Sequence, residues 1–152
     1  MEPLPAGVTG FGLRSPHVNS DFRSFSSACR AAARIIGANV QSTTDAGSSP
    51  ALGFHEALLV VDRHPLLVLC NASVPVIAFA MPRNDTHELR NEFIDCPQLA
   101  AVLCDNYRVL SRQEAHSLPV PEIVSLLEPE ELRQLRYWRS ERVGDIVFNH
   151  WD

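Results

Sequence analysis

Apolar positions are most concentrated at residues 54–81, in three short runs at 57–61, 66–70 and 76–80. They are separated by the turn formers Asp62-Arg63-His64-Pro65 and Asn71-Ala72-Ser73-Val74-Pro75. β-Branched and aromatic runs punctuated in this way predict a tightly connected antiparallel meander, the sheet on which the rest of the chain packs. Ahead of it the periodicity is helical: Phe22, Phe25, Cys29, Ala32, Ala33 and Ile36 share one face. Asn19 or Ser20 is the expected cap, Asp21 suits the positive N-terminal end, and Gly37 is the natural stop.

Elsewhere the pattern is weaker. Residues 1–18 read as an extended arm, with an edge strand near Val8 to Leu13. The small polar stretch 39–53 reads as a flexible surface loop, a connector or a lid. After the meander, Asp85 or Thr86 starts a single helical turn through Leu89, followed by extended Phe93-Ile94. Pro97 opens a short helix with Leu99, Val102 and Leu103, and residues 107–110 give a fourth strand. Ser111 and Glu114 stand at capping-box spacing. Pro121 and Pro129 each introduce a helix, and Ser140 caps a last one carrying Val143, Ile146, Val147 and Trp151. The fold class is therefore α+β: an antiparallel meander of about four strands packed against a long N-terminal helix and a helical C-terminal third. At 152 residues the length suits a single domain.

Composition narrows the chemistry. All 13 basic residues are arginine, so lysine Schiff-base chemistry and a standard P-loop are excluded. A formal net charge of -5 argues against nucleic acid as the main partner. No run approaches the roughly 20 apolar residues of a membrane span, and the N-terminus lacks the pattern of a secretory signal, so a cytoplasmic protein is expected. Cys29, Cys70, Cys96 and Cys104 sit in apolar surroundings without a Cys-x-x-Cys pair and read as buried reduced thiols. The sequons at Asn71 and Asn84 are discounted accordingly. Six scattered histidines make no His-x-x-x-His pair, so neither a metal nor another cofactor is expected.

The C-terminal run 137–152 holds both tryptophans among arginines. Large aromatics beside arginine are the composition of interface hot spots, so Tyr137, Trp138, Arg139, Arg142, His150 and Trp151 are the candidate binding residues. The plainer alternative is that the tryptophans close the core, and one can serve each purpose. Arg133, Arg136, Arg139 and Arg142 recur every third residue, but the interleaved glutamates favour a solvated ion-pair face over a basic ribbon. Glu128, Glu130 and Glu131 are explained by their place at a helix start. For catalysis the only candidates are Cys70 as nucleophile with His55, His64 or His150 as base, oriented by Asn71, Asp62 or Glu56; no spacing selects them.

The arrangement is loosely similar to that of small α+β binding proteins, toxin-neutralising immunity proteins among them. The expected function is a non-enzymatic protein-binding module, an immunity- or antitoxin-like inhibitor in form. Its acidic, aromatic-studded surface would suit a basic or toxin-like partner, with a homodimer as a further form. The alternative is a small Cys/His-dependent hydrolase or transferase with a pocket under the 39–53 loop.

Overall fold

The computed structural model describes residues 1–12, 21–48, 53–83 and 90–151. The expected helical turn ending at Leu89 therefore lies outside the described residues, as do Asn84, Leu13 and the proposed caps Asn19 and Ser20.

The long helix, α1, spans Phe22–Ile36. Asp21 is its N-cap, accepting hydrogen bonds from the Arg23 amide and the Ser24 hydroxyl. At its other end Gly37 takes φ 76°, a left-handed conformation that glycine adopts without a Cβ penalty. Its amide and that of Ala38 both donate to the Ala33 carbonyl.

The meander forms as its pattern requires, with strands β2 (Phe54–Val61), β3 (His64–Asn71) and β4 (Val76–Ala80) pairing antiparallel in order. Asp62 and Arg63 make the two-residue turn of the first hairpin, with φ of 49° and 69°. Positive φ at both positions is the geometry whose twist matches the flanking strands, obtained here without glycine.

The sheet is larger than the meander. Residues 39–44, expected as part of a flexible loop, form strand β1 (Asn39–Thr44) antiparallel to β2, followed by a 3-10 turn at Ala46–Ser48. An edge strand pairs through its backbone and buries little, so polar Asn39, Gln41, Ser42 and Thr44 satisfy it. A register shift between Val40 and Ser42 further obscures the alternation. At the opposite side, β4 is flanked along one edge by two short strands. Phe93–Ile94 (β5) pairs antiparallel with Phe79 and Ala80, while Arg108–Val109 (β6) pairs parallel with Val76 and Ile77. The expected fourth strand is thus present, in parallel orientation.

Strict alternation gives the sheet two buried faces. Ala57, Leu59, Val61, Leu66, Val68, Cys70, Ile77 and Phe79 face α1 and the helix α2, Pro97–Leu103. Phe54, Leu67, Leu69, Val76, Ala78 and Ala80 face the N-terminal segment and the C-terminal third. That third contains α3 (Arg112–His116), α4 (Pro129–Trp138) and α5 (Val143–Val147). Ser111 and Glu114 form the expected capping box of α3.

The helix expected after Pro121 does not form; residues 121–126 are successive turns. The Ile123 carbonyl, which a helix would use for Leu127, instead accepts from the Leu4 amide at 2.8 Å. The N-terminal segment is correspondingly docked. Leu4 and Val8 are buried, and residues 6–10 form turns where an edge strand was expected. The final helix is also shorter than its apolar spacing suggests. Arg142, not Ser140, precedes it, and Trp151 lies beyond its end. Gly144 is required inside it, because a Cβ there would lie 2.4 Å from the Phe93 ring.

Candidate functional site

The exposed aromatics gather where the C-terminal third turns back on itself. α4 ends at Arg139, which adopts the left-handed conformation (φ 52°) and sends the chain away from the helix axis. The four arginines are therefore not a continuous ribbon. Arg133 pairs with Glu130 on the helix surface, as the ion-pair reading anticipates, whereas Arg142 is buried. The Arg142 guanidinium donates to both carboxylate oxygens of Asp145 at 2.8 and 2.6 Å and to the Asn91 carbonyl at 3.0 Å. It also lies 5.2 Å from the centroid of the Phe93 ring. This bidentate pair fixes the start of α5 against the 91–93 segment.

A row of aromatic rings runs outward from there. Phe11 packs on Trp151 (6.1 Å between centroids), Trp151 lies parallel to Trp138 (6.4 Å, 2° between planes), and Tyr137 meets Trp138 edge-on (5.3 Å). Exposure rises along the row: Trp151 is 8% exposed, Trp138 38% and Tyr137 75%. One tryptophan serves the core and the other the surface. The Trp138 ring is held in place, since its Nε1–H donates to the Gln134 side chain, whose amide in turn donates to Glu130. Those contacts from Gln134 and Arg133 lower the Glu130 pKa.

Beside the row lies a cleft of about 290 Å³ lined by Trp138, Trp151, Phe148, Asn149, His150, Ser140, Asp145 and Arg90. A second cleft of about 310 Å³, lined by Arg90, Asn91, Glu92, His116 and Arg142, adjoins it through Arg90. Asn149 is buried and structural: its amide donates to the Ile146 and Thr9 carbonyls, and its Oδ1 accepts from the Trp151 amide. His150 packs edge-on against Phe54 at 5.2 Å. Trp138, His150 and Trp151 thus meet in one cleft, with Arg142 behind it; Tyr137 and Arg139 stand on the adjacent surface. Sequence reasoning missed Arg90, which is distant in the chain and carries no local signal.

The catalytic candidates are dispersed, with one exception. His55 and Cys70 are directly opposite in the β2–β3 register, on the face covered by α1. Both are buried, and the His55 ring packs against Phe22 and Phe25. His55 Nδ1 accepts the Ala46 amide at 2.9 Å, which places the ring proton on Nε2. His64 is exposed at the start of β3, about 20 Å from Cys70 at the rise of an extended strand. His150, Asn71 and Glu56 belong to the opposite side. Asn71 spans the Val8 and Val147 carbonyls, and Glu56 pairs with Arg83 at 2.5 Å. Asp62 accepts from Gln98 in the exposed hairpin turn.

Cys29 and Cys96 are buried with Cys70, but Cys104 is exposed, because α2 ends before it. Burial pushes the Cys29 thiol from 9.0 up to about 12, which keeps it protonated. Tyr107, over the same face, is pushed from 10.0 to about 12, mainly by burial and then by proximity to Cys70, Cys29 and Asp21. Among the described residues no His, Cys, Asp and Glu cluster could hold a metal, and no helix is long and apolar enough to cross a membrane.

A third cleft, about 340 Å³, lies where the edge of β4 passes from β6 to β5, walled by Phe79, Cys96, Pro97, Ala100 and Val109. Its polar groups are engaged by the start of α3: Asp95 accepts the Arg112 amide, and Ser111 caps Glu114. Among the described residues, none of 39–48 or Gly53 lines any of the three clefts. In comparison with known proteins, no family model matches the chain, and neither does any curated protein or solved structure.

Proposed function

We propose that this chain is a small protein-binding module whose contact surface is the aromatic cleft of the C-terminal third. The observation that carries the reading is the row Trp151–Trp138–Tyr137, anchored in the core at one end and open to solvent at the other. Rigid, partly exposed tryptophan and tyrosine give a large contact area while losing little conformational freedom on binding. A ring already locked by Gln134 loses less still. An inhibitor of the immunity or antitoxin kind is one form that such a module takes.

A photo-crosslinking residue at position 137 tests this in cells, with the same residue at exposed Leu118 as control. The binding reading expects one adduct of defined mass from position 137, absent at 118 and lost when Trp138 is also changed to Ala. Adducts indifferent to Trp138→Ala would remove the reading.

The second reading, a Cys/His-dependent hydrolase or transferase, has the juxtaposition of His55 and Cys70 in its favour. Their burial under α1 weighs against it, since a thiol nucleophile must be ionised and reachable. Turnover of a generic ester or thioester that disappears in Cys70→Ala would turn the choice towards it.

A further inference from the structure

Among the described residues, the unpaired charge lining the aromatic cleft is opposite in sign to the chain as a whole. The molecule carries a formal charge of -5, and a basic partner is what that figure alone suggests. Within the cleft the one lining carboxylate among the described residues, Asp145, has both oxygens occupied by Arg142. Arg90, exposed at the junction of the two clefts, makes no ion pair among the described residues. Arg136 and Arg139, at the end of α4 beside Tyr137 and Trp138, are exposed as well, and neither has a carboxylate partner among the described residues. Glu92 lines only the adjoining cleft. Among the described residues that line the cleft, the unpaired charge is therefore the cation Arg90.

We infer that the cleft takes an acidic segment of a partner protein, in which a carboxylate meets Arg90 and an aromatic or large apolar side chain lies against Trp138. This inference rests on the protein-binding reading above and names its partner chemistry. Arginine holds a carboxylate through two parallel N–H donors, and Arg90, unpaired among the described residues, has them to offer. The indole face and the cleft floor of Phe148 and Trp151 supply the apolar half of the contact. A single-stranded nucleic acid also combines stacking with cations, but it needs a basic groove that follows several phosphates. Here Arg90 is the lone unpaired cation lining the cleft among the described residues, and the rest of the molecule is acidic.

Panning random phage-displayed dodecapeptides on the immobilised full chain at low salt tests the inference. Recovered peptides are then titrated, by tryptophan fluorescence, against the native chain, Arg90→Gln and Trp138→Ala. A second cuvette holds a uridine dodecamer. The expected result is enrichment of net-negative peptides carrying an aromatic residue, with affinity falling about tenfold or more in each variant. The Arg90 effect should shrink as salt is raised, because exposed charges are screened. Both substitutions lie at the surface, so unchanged melting curves separate lost binding from lost folding.

Neutral or basic peptides that still depend on Trp138 would overturn the acidic partner and leave the binding surface standing. Tighter binding of the uridine dodecamer, or sedimentation showing a second copy of the chain already seated on the cleft, would replace the occupant. Peptides indifferent to both substitutions, or no enrichment at all, would remove the inference and the binding reading together.

Discussion

The two faces of the sheet are covered in different ways. On the α1 side, two regular helices press small and apolar residues such as Phe25, Cys29, Ala32 and Leu99 onto the strands. Their backbone groups are satisfied within the helices, so apolar complementarity suffices. The other side is covered largely by turns and short helices, whose amides and carbonyls must find partners elsewhere. Buried polar side chains supply them. Glu131 is fully buried and accepts from the Gly7 amide, the Thr9 amide and hydroxyl, and the Glu128 amide, at 2.6–3.2 Å. Asn71 uses all four of its sites, donating to the Val8 and Val147 carbonyls and accepting from the Ser73 and Val74 amides. Irregular cover over a sheet thus depends on a few polar hubs, each tying segments far apart in sequence.

The largest effect that would break this comparison is at Glu131. Its replacement by alanine leaves four donors without their acceptor and should destabilise by about 4 kcal/mol, on the order of 10 °C in Tm. Glu131→Gln, which keeps one acceptor oxygen, should cost less; thermal melts of the pair check this. If both variants melt with the native protein, the hub has no energetic content.

Next in size is a matched pair across the sheet. Asn71→Leu preserves volume but strands two carbonyls and two amides, and should cost about 3 kcal/mol. Cys29→Ala removes one small buried group on the opposite face and should cost about 1 kcal/mol. Chemical denaturation measures both, and equal losses would erase the distinction.

Alkali probes the α1 side selectively. An unfolded Cys29 thiol ionises near 9.0, whereas the folded one stays protonated until about pH 12. Its stabilising contribution is therefore complete below pH 9 and is lost as the pH rises from 9 towards 12; Tyr107 adds to the loss above pH 10. In Cys29→Ala the decline between pH 9 and 12 should be shallower, as urea midpoints over that range would show. The smallest effect is a gain. Arg63 holds φ 69° in the β2–β3 turn, and Arg63→Gly relieves that conformation, raising stability by about 1 kcal/mol in the same urea titration.

Legibility in the sequence follows the same division. The α1 helix and the meander announce themselves because each buries one side in a fixed period, 3.6 or 2 residues, that survives without knowledge of any partner. β1 was hidden because an edge strand needs only its backbone. The helix expected after Pro121 does not form because a carbonyl it would use is claimed by Leu4, which apolar residues at helical spacing do not reveal. In the candidate site, the aromatic and arginine composition of 137–152 pointed to the right stretch. Which ring is core and which is surface could not be read, nor could the reversal at Arg139 that separates Arg142 from its neighbours.

What the sequence determined by itself is the α+β class, the central hairpins, the principal helix and the concentration of aromatic residues near the C-terminus. Each is a local or periodic property, set by side-chain polarity and backbone preference within about ten residues. Only the tertiary structure decided the hubs at Glu131 and Asn71, the burial of Arg142 against Asn91 and Phe93, and the meeting of Arg90 with two tryptophans. Those depend on contacts between residues some 50 to 120 positions apart, and a chain carries no local mark of the partner that such a contact will find.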